Sequence, residues 1–231
     1  MEFPDTLVAG RFVRRLNRFA ALVSVGGAEA LAPGSDRGLA HVANSGRLRE
    51  LLQPGVPVLL APTGRDGRKT AYDLTLVRVD GVLISADARL PSALVHEALL
   101  AGGLPPFLGY TSCRREVAFG ESRLDLLLEG QTGRCYVEVK SVTLVDDGVA
   151  LFPDAPTSRG RKHLGSLERA VGEGHRAAVV FVVQREDATR FQPHGAADPE
   201  FGEALRRAVR NGVEVYAYGC VVNEYSIALD G

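Results

Sequence analysis

Arg123-Leu124-Asp125-Leu126-Leu127-Leu128, followed by Gly130-Gln131-Thr132-Gly133 and then Tyr136-Val137-Glu138-Val139-Lys140, is the stretch whose reading decides the fold of this 231-residue chain. Two apolar runs flank a glycine-bounded turn, which is the pattern of a β-hairpin. A hairpin centred between Gln131 and Thr132 pairs residues whose numbers sum to 263, so Asp125 falls opposite Glu138. Residues two apart on a strand share a face, which puts Lys140 on the same side as Glu138. Directly opposed carboxylates have Cβ atoms about 5 Å apart, and like charges so placed destabilise a strand pair unless something positive stands between them.

A divalent cation meets that need. Two carboxylate oxygens, the backbone carbonyl of Val139 and waters make a hard-oxygen shell that suits Mg²⁺ or Mn²⁺ better than zinc. Lys140 would then orient or deprotonate an attacking water, or neutralise charge growing on a phosphate. An Asp followed across a hairpin by Glu-x-Lys is the core of the PD-(D/E)xK nuclease pattern. The competing account is a solvated strand face on which Lys140 simply neutralises its acidic neighbours.

Composition bounds the rest. The net charge of −1 and a pI near 6.5 exclude the bulk electrostatics of a strongly basic nucleic-acid binder, so any phosphate contact must be local. Lys and Arg number 11 against 8 Asp and Glu through Asp80, and 16 against 20 beyond it. Arg11, Arg14, Arg15 and Arg18 crowd the first strand region, and Arg159, Arg161, Lys162 and His163 crowd a helix start. Either cluster also fits a solvated charged face. Of only three lysines, two are Lys140 and Lys162. Cys113, Cys135 and Cys220 are widely spaced without a CxxC, which reads as thiols rather than a disulfide or zinc site. No apolar run approaches the roughly 20 residues of a membrane span, and the first residues lack the basic and apolar regions of a signal peptide. A soluble, cytoplasmic protein without membrane contact is expected.

The texture of the chain changes near residue 84. Before it, short apolar runs at Leu7 to Val13, Ala20 to Val25, Val56 to Ala61 and Tyr72 to Val79 suit a small barrel or sandwich. After it, strands alternate with helices: one from Pro91, the hairpin, a helix capped by Thr157 or Ser158, a strand from Ala177 to Gln184, a helix capped by Asp198, and a strand from Val213 to Val222. The second helix buries Leu164, Leu167 and Val171, and the third Phe201, Leu205, Ala208 and Val209. Arg159, Lys162 and His163 lie on neighbouring positions at a helix N-terminus, where exposed amides and cationic side chains suit a phosphate. A surface or cap role for His163 is the alternative. Gln184 and Glu116 receive no assignment.

These segments together resemble the sugar fermentation stimulation protein A (SfsA) family from end to end. The likeness is carried by Arg18-Phe19, by His41 to Gly46, by Leu90-Pro91 with Val95 and Glu97, and by Arg115-Glu116-Val117 leading to Asp125. It continues through Glu138 to Leu144, Phe152-Pro153-Asp154-Ala155, Arg159-Gly160, Lys162-His163-Leu164 and Gly212 to Val215. The resemblance implies a two-domain α+β protein: an OB-like β-barrel over residues 1–83, joined to a PD-(D/E)xK nuclease-like α/β domain with a central mixed sheet over 84–231. It implies DNA binding and a part in regulating sugar catabolism, maltose in particular. Ala43 stands where the family typically has proline, and the end of the chain from Val221 carries no match to a recognition helix proposed in relatives.

From Leu7 onward the barrel half is poor in aromatics, with Phe12, Phe19 and Tyr72 and no tryptophan. Phe12 and Phe19 are expected in the core, leaving arginine contacts to phosphate to carry affinity with weak sequence preference and steep salt dependence. His41, Asn44 and Arg47, in one loop region, are expected to join Arg14, Arg15 and Arg18 as nucleic-acid contacts, with a turn-forming role competing in the case of Asn44. Three functions follow. In a metal-dependent nuclease, Asp125 and Glu138 hold the cation with Val139 and the upstream helical Glu97, Lys140 prepares the water, and Arg159, Lys162 and His163 steady phosphates. In a binding protein the same scaffold occupies DNA without cutting it. In the third, the carboxylate pair holds a structural metal. Oligomeric state is not legible.

Overall fold

The computed structural model describes residues 1–4, 6–26, 36–64 and 69–230. The chain divides into two units, one of Met1–Arg89 with Gln184–Asp187 and Cys220–Ala228, the other of Leu90–Val183 with Ala188–Gly219 and Leu229–Gly231. The single cut after residue 83 therefore differs from the structure in that two later segments return to the first unit.

In the first unit, β1 (Val8–Asn17), β2 (Ala20–Val25), β3 (Arg37–His41), β4 (Pro57–Pro62), β5 (Tyr72–Val79) and β6 (Val82–Ser85) form a sheet in the order β3-β2-β1-β4-β5-β6. A parallel contact of Ala40 and His41 with Tyr72 and Asp73 joins β3 to β5 and closes a five-stranded OB barrel. Alternation explains its filling. Phe12, Val23, Ala40, Leu60 and Leu74 point inward and pack with Leu48 and Leu51 of the segment after β3. Phe19 does not join them: it sits in the β1–β2 turn, 48% exposed, because a turn residue escapes the inward alternation of the flanking strands. That corrects the expectation of a core Phe19.

The second unit has a helix α1 (Leu90–Leu100) and then the strands β7 (Tyr110–Phe119), β8 (Ser122–Gly130) and β9 (Gly133–Val142). Their antiparallel meander is extended in parallel by β12 (Arg176–Val183) and β14 (Glu214–Tyr218), giving the mixed order β14-β12-β9-β8-β7. The β8–β9 turn is tight because Gly133 takes φ +101°, a conformation that side chains resist, and because a Cβ at Gly130 would stand 2.6 Å from the carbonyl oxygen of Gly109. β12 reads Arg-Ala-Ala-Val-Val-Phe-Val-Val and is buried from Ala177 onward, as a parallel strand covered on both faces must be. Between β9 and β12 lie β10 (Val145–Asp146), β11 (Val149–Phe152) and the helix α2 (Ser158–Gly172). β13 (Arg190–Pro193) pairs in parallel with β11, and α3 (Pro199–Arg210) precedes β14.

α2 and α3 share one apolar cluster with β8, β9 and β12, built on Leu127, Tyr136, Leu164, Leu167, Phe181, Phe201 and Leu205. The buried residues of α1 (Pro91, Leu94 and Val95) lie outside that cluster, and α1 packs against β7, β8 and β9. Val209 is half exposed, so the buried stripe of α3 is narrower than its spacing suggests. Asp198 ties the two helix starts: Oδ1 accepts the Phe201 amide at 3.0 Å, and Oδ2 accepts the Thr157 amide and Arg161 Nη1 at 2.8 and 2.7 Å. The Phe201 bond is the cap of α3, worth about 1 kcal/mol, while α2 is capped by Thr157, whose Oγ1 accepts the Gly160 amide at 3.0 Å. The expected strand from Val213 to Val222 breaks at Gly219: β14 stays in the mixed sheet, while β15 (Cys220–Val222) pairs with β16 (Ile227–Leu229). None of the three cysteines forms a disulfide, Cys135 and Cys220 being buried and Cys113 partly so. No helix among the described residues is long and apolar enough to cross a membrane.

Candidate metal and phosphate site

The β8–β9 ladder runs from Gly130 and Gly133 to Leu126 and Val137, each pair in the expected register, and then stops. On the other side of β8, the ladder to β7 passes from Arg115 and Leu126 to Val117 and Leu124, skipping Glu116 and Asp125. Glu116 sits there at φ +56°, a left-handed conformation costly for a residue with a side chain. Asp125 thus has no ladder partner on either edge. Its carboxylate takes the place of a backbone acceptor, with Oδ2 receiving the Val139 amide at 2.7 Å. In an antiparallel pair one residue presents its N–H and C=O to the same neighbour, so the Val139 carbonyl also belongs to the β8 edge.

Glu138 is 3% exposed and lies between two donors on Oε1: Lys140 Nζ at 2.6 Å and His163 Nδ1 of α2, a short contact. Arg159 Nε lies 3.5 Å from His163 Nε2 and donates to it, which leaves the ring proton on Nδ1 for Glu138. The other oxygen, Oε2, is buried with no hydrogen-bond partner among the described residues. A buried acceptor left unmatched costs on the order of 1–3 kcal/mol.

Electrostatics separate the two acids. Burial, followed by the charge of Glu138, pushes Asp125 up to about 6, with the Val139 amide and Lys140 opposing. Burial also acts against the Glu138 carboxylate, but the His163 hydrogen bond and the Lys140 ammonium outweigh it and hold its pKa below the ordinary value. With Asp125 ionised, two carboxylates face one ammonium and a hydrogen-bonded imidazole, leaving negative charge in excess inside the domain.

The structure redistributes the remaining expected residues. Glu97 is exposed on α1, whose Pro91, Leu94 and Val95 take the buried positions, and no group of three metal-ligating His, Cys, Asp or Glu side chains occurs among the described residues. His163 is buried and given to Glu138, so it is not displayed for a phosphate. Lys162, one position round the helix, faces solvent and lies 3.5 Å from Glu121. Arg159 is exposed and remains positioned at the helix start.

In the barrel, Arg15 spends all five N–H groups on main-chain carbonyls of Asn17, Arg18, Asn44, Gly46 and Arg47 at 2.5–3.2 Å. It clamps a loop and has no donor left for a phosphate. Asn44 is likewise structural, donating to the Ala86 carbonyl at 3.2 Å and accepting the Gly46 amide at 2.8 Å. Arg14, Arg18 and Arg47 are exposed, and His41 stacks against Phe19. Gln184 donates to the Ser85 carbonyl at 3.1 Å. Two features had no signal in the residues alone: the left-handed Glu116 and the pairing of His163 with Glu138 across 25 positions. A weak signal for exposed Phe19 existed in its place between two strands.

Residues 89–226 match the sugar fermentation stimulation protein RE domain, and residues 13–86 match the SfsA N-terminal OB domain. A sugar fermentation stimulation protein homolog of Moorella thermoacetica is 48% identical over 231 residues, covering 99% of this chain and 96% of that protein. One from Desulforamulus reducens is 47% identical over 223 residues, covering 96% and 90%. Among solved structures, Pyrococcus furiosus SfsA in complex with Ca²⁺ superposes with a TM-score of 0.88 at 32% identity, covering 100% of this chain and 96% of that one.

Proposed function

Because this chain belongs to the sugar fermentation stimulation protein (SfsA) family, we propose that it is a divalent-cation-dependent nuclease acting on DNA, with Asp125 and Glu138 as the carboxylate ligands and Lys140 beside the reacting phosphate. The observation that carries this reading is Glu138 Oε2, a buried carboxylate oxygen without a partner, next to an Asp125 whose ionisation the fold resists. An oxygen-preferring cation would satisfy both, with the Val139 carbonyl on the same edge and water or substrate completing the shell. The Ca²⁺ complex of the Pyrococcus furiosus relative supports a hard-cation site in the family. Mg²⁺ or Mn²⁺ would supply Lewis-acid polarisation of a phosphodiester and a nucleophile at neutral pH.

The chain's own residues have separate tasks. His163 holds Glu138 Oε1, so the carboxylate presents Oε2 in one orientation. Lys140, itself only 12% exposed, keeps its ammonium at the site and stabilises negative charge growing on the phosphate. Arg159 and Lys162 on the exposed side of α2 offer cations to flanking phosphates, and the barrel separately exposes Arg14 and Arg18 for phosphate contact.

A second reading is favoured by the ion pair of Lys140 with Glu138 and by the lack of a third ligating side chain among the described residues. In it the protein is a non-catalytic DNA-binding regulator of sugar catabolism genes, maltose included. Titration calorimetry separates the two. Wild type is expected to bind Mn²⁺ or Mg²⁺, Glu138→Gln to bind it at least about tenfold more weakly, and cleavage across single-stranded, duplex and RNA substrates to require the cation and stop with chelator. A wild-type protein that takes up neither ion leaves only the second reading.

A further inference from the structure

The outer wall of the barrel has a composition the nuclease site does not explain. Across β1, β2 and β3, Arg14 lies opposite Leu22 and Leu22 opposite Leu39, while Ala20 lies opposite His41. Ala21, Val23 and Ala40 are fully buried, so Leu22, Leu39 and His41 occupy the outward set of the same strands. At the rim, the 48% exposed Phe19 ring stacks on the His41 imidazole, with centroids 6.4 Å apart and planes at 28°. His41 Nδ1 lies 3.0 Å from the Phe19 carbonyl oxygen, which restrains the imidazole beside the phenyl ring. Leaving a large aromatic ring this open forgoes part of the hydrophobic stabilisation that full burial would contribute.

The charge on the hairpin that carries Phe19 is one-sided, although Asp73 lies opposite His41 in the β3–β5 contact. No Asp or Glu occurs from Arg11 to Ser24, and Arg14 and Arg18 are exposed and form no ion pair among the described residues. We infer that Phe19 and His41 form a stacking platform for an unpaired base of single-stranded nucleic acid, with Arg14 and Arg18 meeting the adjacent phosphates. In OB barrels the face of the second and third strands, with the loop joining the first and second, is the surface suited to oligonucleotides, and that is where the pair stands. A duplex hides its base faces in the stack, so an exposed ring adds affinity only where a base is free. The inference rests on the nucleic-acid-binding part of the proposed function and adds strand form and a contact residue to it.

The test is fluorescence anisotropy of labelled oligo-deoxythymidine against a duplex of equal length, in chelator so that no strand is cut. Phe19 lies outside the core, so its variants retain the fold. Phe19→Ala is expected to lose about tenfold in affinity for the single strand with an unchanged salt slope, and to keep its duplex affinity. Arg18→Ala is expected to lower the salt slope by about 0.7. Phe19→Trp introduces the chain's sole tryptophan at the platform, keeps the affinity, and is expected to show quenched fluorescence on oligo-deoxythymidine. Equal single-strand affinity of Phe19→Ala and wild type, equal losses on both strand forms, or an unquenched Phe19→Trp variant would each overturn the platform. Cation uptake by wild type, measured separately, tells that failure apart from failure of the nuclease reading.

Discussion

Lys140→Met is expected to lower DNA cleavage about 10³-fold while the divalent cation binds at least as tightly as in wild type. The two effects have opposite signs because the ammonium plays opposite parts in them. Against a cation at Asp125 and Glu138 it is a like charge in direct contact with one ligand, 2.6 Å from Glu138 Oε1, and removing it relieves repulsion. Against a phosphate gaining charge it is the nearest preorganised cation in a site that largely excludes water. Losing one such group costs on the order of 10²–10³ in rate. Methionine keeps the aliphatic stem and nearly the volume, so packing around the 12% exposed side chain survives. Calorimetry and a cleavage time course on the same preparation read both effects. Undiminished cleavage would remove Lys140 from the chemistry; loss of cation binding together with cleavage would make it a structural support of Glu138.

How much of this site the residues announce depends on whether the geometry is local. The hairpin is local: two glycines bound a two-residue turn, the strand period is two, and the register follows, as the pairing of Leu126 with Val137 shows. The sequence reading therefore places Asp125, Glu138 and Lys140 on one face without any knowledge of the rest of the fold. It could not see that both ladders lapse at Asp125, because Glu116 carries no mark of a left-handed backbone. Nor could it tell His163 from Lys162. On an isolated helix both are polar neighbours at the same end, and only the docking of α2, set by Leu164, Leu167 and the Ser122–Ser166 hydrogen bond at 2.7 Å, turns one inward to Glu138 and the other to solvent.

The barrel arginines show the same limit in a sharper form. Arg14, Arg15 and Arg18 read alike in a list of basic residues. A bulge in the β1–β2 pairing beyond Phe12 and another beyond Arg15 alter which way each points. Arg15 then meets the carbonyls of the loop carrying Asn44 and Gly46, and its neighbours face water. Charge counts thus locate a basic region, and only the carbonyls that converge on one guanidinium show which cation is already committed.

Asp125→Asn is expected to stabilise the cation-free protein at pH 7.5 by about 2 kcal/mol and to change its stability little at pH 4. An aspartate in the unfolded chain titrates near 3.9, whereas burial and Glu138 push Asp125 up to about 6. Below the lower value both states are protonated and the side chain imposes no penalty. Between the two values the unfolded chain releases a proton that the folded state keeps, so stability falls as pH rises, and above about 6 the whole penalty is present. Two units correspond to about 3 kcal/mol, reduced here because Asp125 keeps some contact with solvent and because an amide oxygen accepts the Val139 N–H less strongly than a carboxylate. Urea unfolding at the two pH values in chelator reads the difference. The same substitution that strengthens the empty protein removes a ligand, so added Mn²⁺ should raise the unfolding midpoint of wild type and leave the variant nearly unmoved. A gain equal at pH 4 and pH 7.5 would mean that the fold does not resist ionisation of Asp125, and the pressure for a cation at this hairpin would vanish with it.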